Sequence, residues 1–114
     1  MATMKQKVRK VRVTFKLHPE FLLDDKYTEI YLVGNTAELG EWNPENALIA
    51  KRRKNGSFSR TKFFPVGTEI EFKCLLAKSY AKVEQNQYFC DIQNRKVVCN
   101  EGQTIDFIIE NFKL

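Results

Sequence analysis

Long apolar stretches are missing from this 114-residue chain: the longest, Ala47–Ala50 and Cys74–Ala77, reach only four residues. A bilayer-crossing helix needs roughly 18 or more, so no membrane span is expected. Glycine occurs five times and proline three, too seldom for a collagenous or low-complexity chain. The segment Met1 to Leu17 is basic, but its Val8, Val11, Val13, Phe15 and Leu17 alternate with charge. It therefore lacks the continuous apolar stretch of a secretory signal. Cys74, Cys90 and Cys99 form an odd set with no C-x-x-C spacing, whereas small secreted folds more often carry an even set. Free thiols and a cytoplasmic setting are expected, unless the chain is a module excised from a secreted enzyme.

Catalytic and metal-binding constellations are also missing. The single histidine, His18, stands before Pro19 with no serine or cysteine placed beside it as a nucleophile. Asp24-Asp25 is followed by Lys26 and Thr28 where a calcium loop needs oxygen ligands. The cysteines lack the short spacing of a zinc site, and no glycine-rich phosphate loop occurs. No metal or cofactor is expected, and the chain reads as a binder and not as an enzyme.

What is present is enough for one domain: 43% hydrophobic and 29% charged residues in 114. The net charge is +5, and ten of the nineteen basic residues sit in two clusters, Lys5 to Lys16 and Lys51 to Lys54. We divide the chain into a basic arm, residues 1–10, and a folded domain, residues 11–114. Such clusters could attract nucleic acid or phosphate; on a strand edge and a turn, lysines also serve to discourage edge-to-edge pairing.

The dominant period is two. Val11, Val13, Phe15 and Leu17 alternate with polar residues, as in a strand with one buried face. Further strands are expected at Glu29–Val33, Ala47–Ala50, Phe58–Phe64, Glu69–Leu76, Lys82–Glu84, Arg95–Cys99 and Thr104–Ile109, with turns at Lys54–Ser57, Pro65–Thr68 and Asn100–Gly102. Glu69–Leu76 alternates most strongly and is expected to be central. No helical face of useful length appears. Many short strands punctuated by turns point to an all-β antiparallel sandwich or barrel, and an immunoglobulin-like β-sandwich is the expected architecture. Function then belongs to its loops.

The most informative stretch is Ile30-Tyr31-Leu32-Val33-Gly34 followed by Leu39-Gly40-Glu41-Trp42-Asn43-Pro44, which delivers the only tryptophan on a loop. It resembles the I-Y-L-V-G and L-G-x-W-x-P pattern of carbohydrate-binding module family 20, the starch-binding domains. Downstream, Pro65-Val66-Gly67-Thr68-Glu69-Ile70-Glu71-Phe72-Lys73 resembles that family's P-x-G-T-x-x-E-Y-K block, and Asn94-Arg95 its N-R turn. The resemblance runs from about Val11 to Phe112 and carries two blocks in the right order. It implies a starch-binding β-sandwich that holds α-1,4-glucans, such as starch, glycogen or a maltooligosaccharide, without cleaving them. Trp42 matches a sugar-stacking tryptophan, Lys73 a lysine that hydrogen-bonds a sugar hydroxyl, Asn94 an asparagine at the rim, and Tyr27 a tyrosine of a second site.

The chain departs from that pattern in two places. The family's second tryptophan, in a V-E-W-like segment, is replaced: Val83-Glu84 is followed by Gln85, Asn86 and Gln87. Tyr88 or Phe89, in a loop that looks longer than the family's, could fold back to supply a substitute ring. Lys51 to Lys54 occupies the region of the second site's other tyrosine, and Arg52 or Arg53 could contact phosphorylated glucan. Structural roles stand beside the functional ones. Trp42 could pin its loop as a core residue, Lys73 could face solvent, Asn94 could form a turn, Tyr27 could be a lone surface ring, and Tyr88 and Phe89 could be core. A nucleic-acid or anion binder and a protein-contact sandwich that has lost glucan binding are the alternative functions.

Overall fold

The computed structural model describes residues 9–21 and 23–113. Alternation becomes strand throughout: β1 (Lys10–Pro19), β2 (Glu29–Gly34), β3 (Leu48–Arg52), β4 (Phe58–Pro65), β5 (Thr68–Leu75), β6 (Glu84–Gln85), β7 (Arg95–Cys99), β8 (Gln103–Ile109) and β9 (Asn111–Phe112). Seven of them form one sheet in the order β7-β5-β2-β3-β4-β1-β8, while β6 and β9 pair separately. Every neighbouring pair is antiparallel except β1 with β8, which run parallel from Val13↔Gln103 to Pro19↔Ile109.

The sheet curls on itself because one face of each strand is apolar. Phe15 on β1 and Phe72 on β5 are four places apart in strand order, yet their rings meet edge to face with centroids 5.4 Å apart. Phe72 also meets Phe107 of β8 at 5.7 Å. Phe15 and Phe72, with Val13, Leu17, Ile30, Leu32, Phe64 and Ile70, fill a fully enclosed core, and the partly buried Phe107 packs against it. The all-β sandwich expectation is met, in a barrel-like form whose two edge strands, β7 and β8, are joined by side chains and not by a ladder. Arg95 at the start of β7 lies 4.2 Å from the Phe107 ring centroid and donates to the Ile108 carbonyl at 2.9 Å. It also pairs with Glu84, which is 1% exposed.

Three details differ from the alternation pattern. Lys82 belongs to a 3-10 turn, Tyr80–Lys82, and the strand expected there is displaced to Glu84–Gln85; Ser79 caps the turn by accepting the Ala81 N–H. β9 is two residues long, too short for a period to show. β5 has neighbours on both sides but stands one place from the edge, since only β7 lies beyond it.

Residues 1–8 of the basic arm lie outside the described residues. Arg9 and Lys10 belong to the sheet: Lys10 opens β1, and the Arg9 carbonyl accepts the Val66 N–H at 2.8 Å. The cysteines are free, with Cys74 and Cys99 buried and Cys90 exposed. Burial pushes the Cys74 thiol well up and the Cys99 thiol up, so both stay protonated at neutral pH. Among the described residues no helix is long and apolar enough to cross a membrane, and no group of three His, Cys, Asp or Glu could hold a metal ion.

Candidate functional site

The outer face of β2 and β5 carries a second, smaller apolar cluster. Val33 stands opposite Lys73, and Tyr31 opposite Leu75, so these four side chains share one face. It is the face turned away from Phe72 and Cys74. Val33 and Leu75 are nonetheless 0% exposed, because the loop after β2 folds over them: Trp42 and Ala47 pack there with Tyr31 and Val83.

Trp42 is delivered by an unusual backbone. The segment Ala37–Trp42 begins as a 3-10 turn and then turns left-handed, with φ of 79° at Gly40, 50° at Glu41 and 63° at Trp42. Two consecutive non-glycine residues in that region store strain, of order 1–3 kcal/mol each, of the kind found at binding sites. Hydrogen bonds hold them there: Glu41 N–H to the Thr36 carbonyl and Asn43 N–H to the Gly40 carbonyl, both 2.9 Å. The Tyr80 hydroxyl donates to the Trp42 carbonyl at 2.7 Å. Burial raises the Tyr80 pKa, which keeps that donor protonated. Leu39 anchors the loop in the main core. The result is a half-buried Trp42 on the outside of the sandwich, resting on Val33, Leu75 and Val83 and not inserted between its layers.

Gly40 is the hinge of this loop. A Cβ there would stand 2.6 Å from the Asn46 carbonyl carbon and oxygen, on top of its positive φ. Gly40→Ala is expected to cost about 2 kcal/mol or more. A thermal melt reads the loss, and a red shift of the Trp42 emission reads the displaced indole.

Lys73 is half-buried and donates from Nζ to the Ile92 carbonyl at 2.8 Å. It thereby ties the incoming segment 91–94 to β5. The β5–β7 ladder ends at Phe72↔Arg95, and Asn94 is the residue just before β7 begins. Trp42 packs with Val33, the ladder partner of Lys73, so these two candidates lie near one another on the outer face.

Tyr27 is not among them. It packs, half-buried, against the main core and lines a cleft of about 220 Å³ with Phe21, Lys26, Leu76, Asn111 and Phe112. Lys26 lies 5.1 Å from its ring centroid. The Arg52 guanidinium donates to the carbonyls of Asp24, Tyr27 and Leu23 at 3.0, 3.1 and 3.2 Å. With Asp25 at 3.9 Å and the Phe58 ring 5.7 Å away, these contacts pin the Tyr27 loop. Arg53 is exposed and donates to the Ser59 hydroxyl. Tyr88 and Phe89 do not fold back onto the Trp42 cluster. They are 74% and 73% exposed, because Asn86 closes a tight turn that aims them outward. Tyr80 is the contributor that sequence reasoning missed; nothing in the spacing of Lys78-Ser79-Tyr80 marks it.

The β-sandwich thus carries a half-buried Trp42 beside the strand position of Lys73 on its outer face. The model of the starch binding domain family matches residues 10–107, and the chain belongs to that family. An amylopullulanase of Thermoanaerobacter thermohydrosulfuricus is 34% identical over 94 residues, which are 81% of this chain and 6% of that protein. The chain therefore spans only a small part of that relative. The fold is similar to that of the glycoside hydrolase family 15 glucoamylase from Hypocrea jecorina, with TM-score 0.67 and 16% identity over 90% of this chain and 17% of the other. The Hormoconis resinae glucoamylase gives TM-score 0.62 at 17% identity, covering 96% of this chain and 19% of that one. The family 20 carbohydrate-binding module of the maltotetraose-forming amylase from Pseudomonas saccharophila STB07 is covered in full, with 85% of this chain, at TM-score 0.53 and 18% identity.

Proposed function

We propose that this starch-binding domain holds α-1,4-glucan chains, as starch, glycogen or maltooligosaccharides, by stacking a glucose ring on Trp42, and that it performs no chemistry on them. A pyranose presents a face of C–H groups that a flat indole can cover, while its equatorial hydroxyls seek hydrogen bonds at the edge. Lys73 supplies a donor and Asn94 both a donor and an acceptor. The observation that carries this reading is the strained, hydrogen-bonded loop that holds Trp42 on the outside of the sandwich. Tyr27, with its own cleft, is the candidate for a second contact. The amylopullulanase and glucoamylase relatives support a role beside a glucan-active catalytic domain.

The test is a titration of the Trp42 emission with maltoheptaose, at low and at high salt. Saturable quenching that hardly responds to salt is expected, because stacking on a neutral sugar releases no counterions. A silent signal sinks the reading. Binding to an oligonucleotide that falls steeply with salt would favour the basic clusters instead.

A further inference from the structure

The loop Asn86–Cys90 presents Tyr88 and Phe89 at 74% and 73% exposure, more than any other large hydrophobic residue among the described residues. It is nevertheless a built turn. Asn86 N–H donates to the Cys90 carbonyl at 2.8 Å, and Phe89 N–H to the Asn86 carbonyl at 3.1 Å. The Asn86 side-chain oxygen accepts from the N–H groups of Tyr88 and Cys90 at 2.8 and 3.1 Å. Glu110 reaches across from beyond β8 and accepts the Gln87 N–H at 2.7 Å. Phe89 is held left-handed, with φ of 63°. Two rings are thus fixed in water at a cost in hydration and in backbone strain, with the ordering entropy of the loop already spent.

The same segment is continuous with the site on the outer face. Gln85 bridges to Asp91 and donates to its carboxylate at 3.0 Å. The next carbonyl, Ile92, accepts from Lys73. We infer that Tyr88 and Phe89 form an outlying aromatic platform that engages α-glucan chains long enough to run past Trp42 and Lys73. This inference rests on the proposed glucan reading of that site and names its preferred ligand: chains of several glucose units over maltose. The chemistry of the tip favours sugar. The turn carries the amides and carboxylates of Asn86, Gln87, Asp91 and Glu110, which suit hydroxyl groups. Two rings cover far less than the roughly 800 Å² per partner of a stable protein interface.

The experiment compares maltose and maltoheptaose by calorimetry on the wild-type chain and on Tyr88→Ala/Phe89→Gly. Glycine retains the left-handed backbone, so the turn is preserved. A second variant, Tyr88→Phe/Phe89→Tyr, keeps both rings. Affinity for maltoheptaose is expected to fall about tenfold in the first variant, with maltose unchanged, and to stay near wild type in the second. Wild-type affinity for maltoheptaose in the first variant overturns the inference and leaves the Trp42 site standing. An equal loss on both sugars overturns it too, since the rings would then act at the primary site. Failure of the ring-retaining variant to bind maltoheptaose also overturns it, because the loop and not its rings would matter. A wild-type chain that binds neither sugar sinks the Trp42 reading and this one with it.

Discussion

Arg95→Met is expected to lower the stability of the domain by about 3–5 kcal/mol, the cost of breaking a buried ion pair from one side. Glu84 is 1% exposed, and both its carboxylate oxygens take a hydrogen bond from Arg95. Methionine fills much of the volume but leaves that carboxylate buried without its cationic partner. The same substitution removes the donor to the Ile108 carbonyl and the cation over Phe107. Those contacts, with the Gln103 amide donating to the Val98 carbonyl at 3.1 Å, join the two edge strands. At about 4 °C per kcal/mol for a domain of this size, the thermal midpoint should fall by roughly 15 °C. The pair Glu84→Gln/Arg95→Met separates the causes: if an orphaned charge dominates, the double variant is more stable than Arg95→Met alone. Equal midpoints for Arg95→Met and wild type would show that the closure does not depend on this side chain.

Trp42→Ala is expected to weaken maltoheptaose binding at least roughly 30-fold, the cost of losing a central aromatic anchor at about 2 kcal/mol or more. Since Trp42 is the only tryptophan, the variant must be followed by calorimetry or by retention on insoluble starch. Its apolar contacts with Val33, Leu75 and Val83 mean that stability falls as well. The expected loss is about 2 kcal/mol, below the range for a fully buried tryptophan because part of the ring already faces water. Trp42→Phe distinguishes the two roles. A smaller ring on the same loop should recover most of the stability and only part of the binding. If Trp42→Ala binds starch as the wild type does, the indole is a structural plug and the glucan contact lies elsewhere.

The strands were legible where one face alternates. Val11 to Leu17 and Glu69 to Leu76 announce β1 and β5 because every second side chain enters the same enclosed core. Trp42, Lys73 and Asn94 could be named from motif resemblance, and the β2–β5 register then puts Lys73 beside Val33, on which Trp42 rests. Other features leave no local mark. A left-handed Glu41 and Trp42 are held by hydrogen bonds to neighbours and by Tyr80, and no residue type there signals positive φ as glycine does. The capture of Arg52 by three carbonyls depends on a loop more than twenty residues away. The outward aim of Tyr88 and Phe89 is set by a turn closed through the backbone and side chain of Asn86 and by Glu110 from beyond β8, which hydrophobicity alone does not announce.

The parallel pairing of β1 with β8 has a mechanical consequence. The chain enters β1 at Lys10 and leaves β8 at Ile109, beside Pro19, so these points sit at opposite poles of the pair. A pull applied there slides the two strands lengthwise past each other and loads their hydrogen bonds together, instead of peeling them one at a time. Stretching the chain between these points would therefore meet a shear clamp before the fold yields.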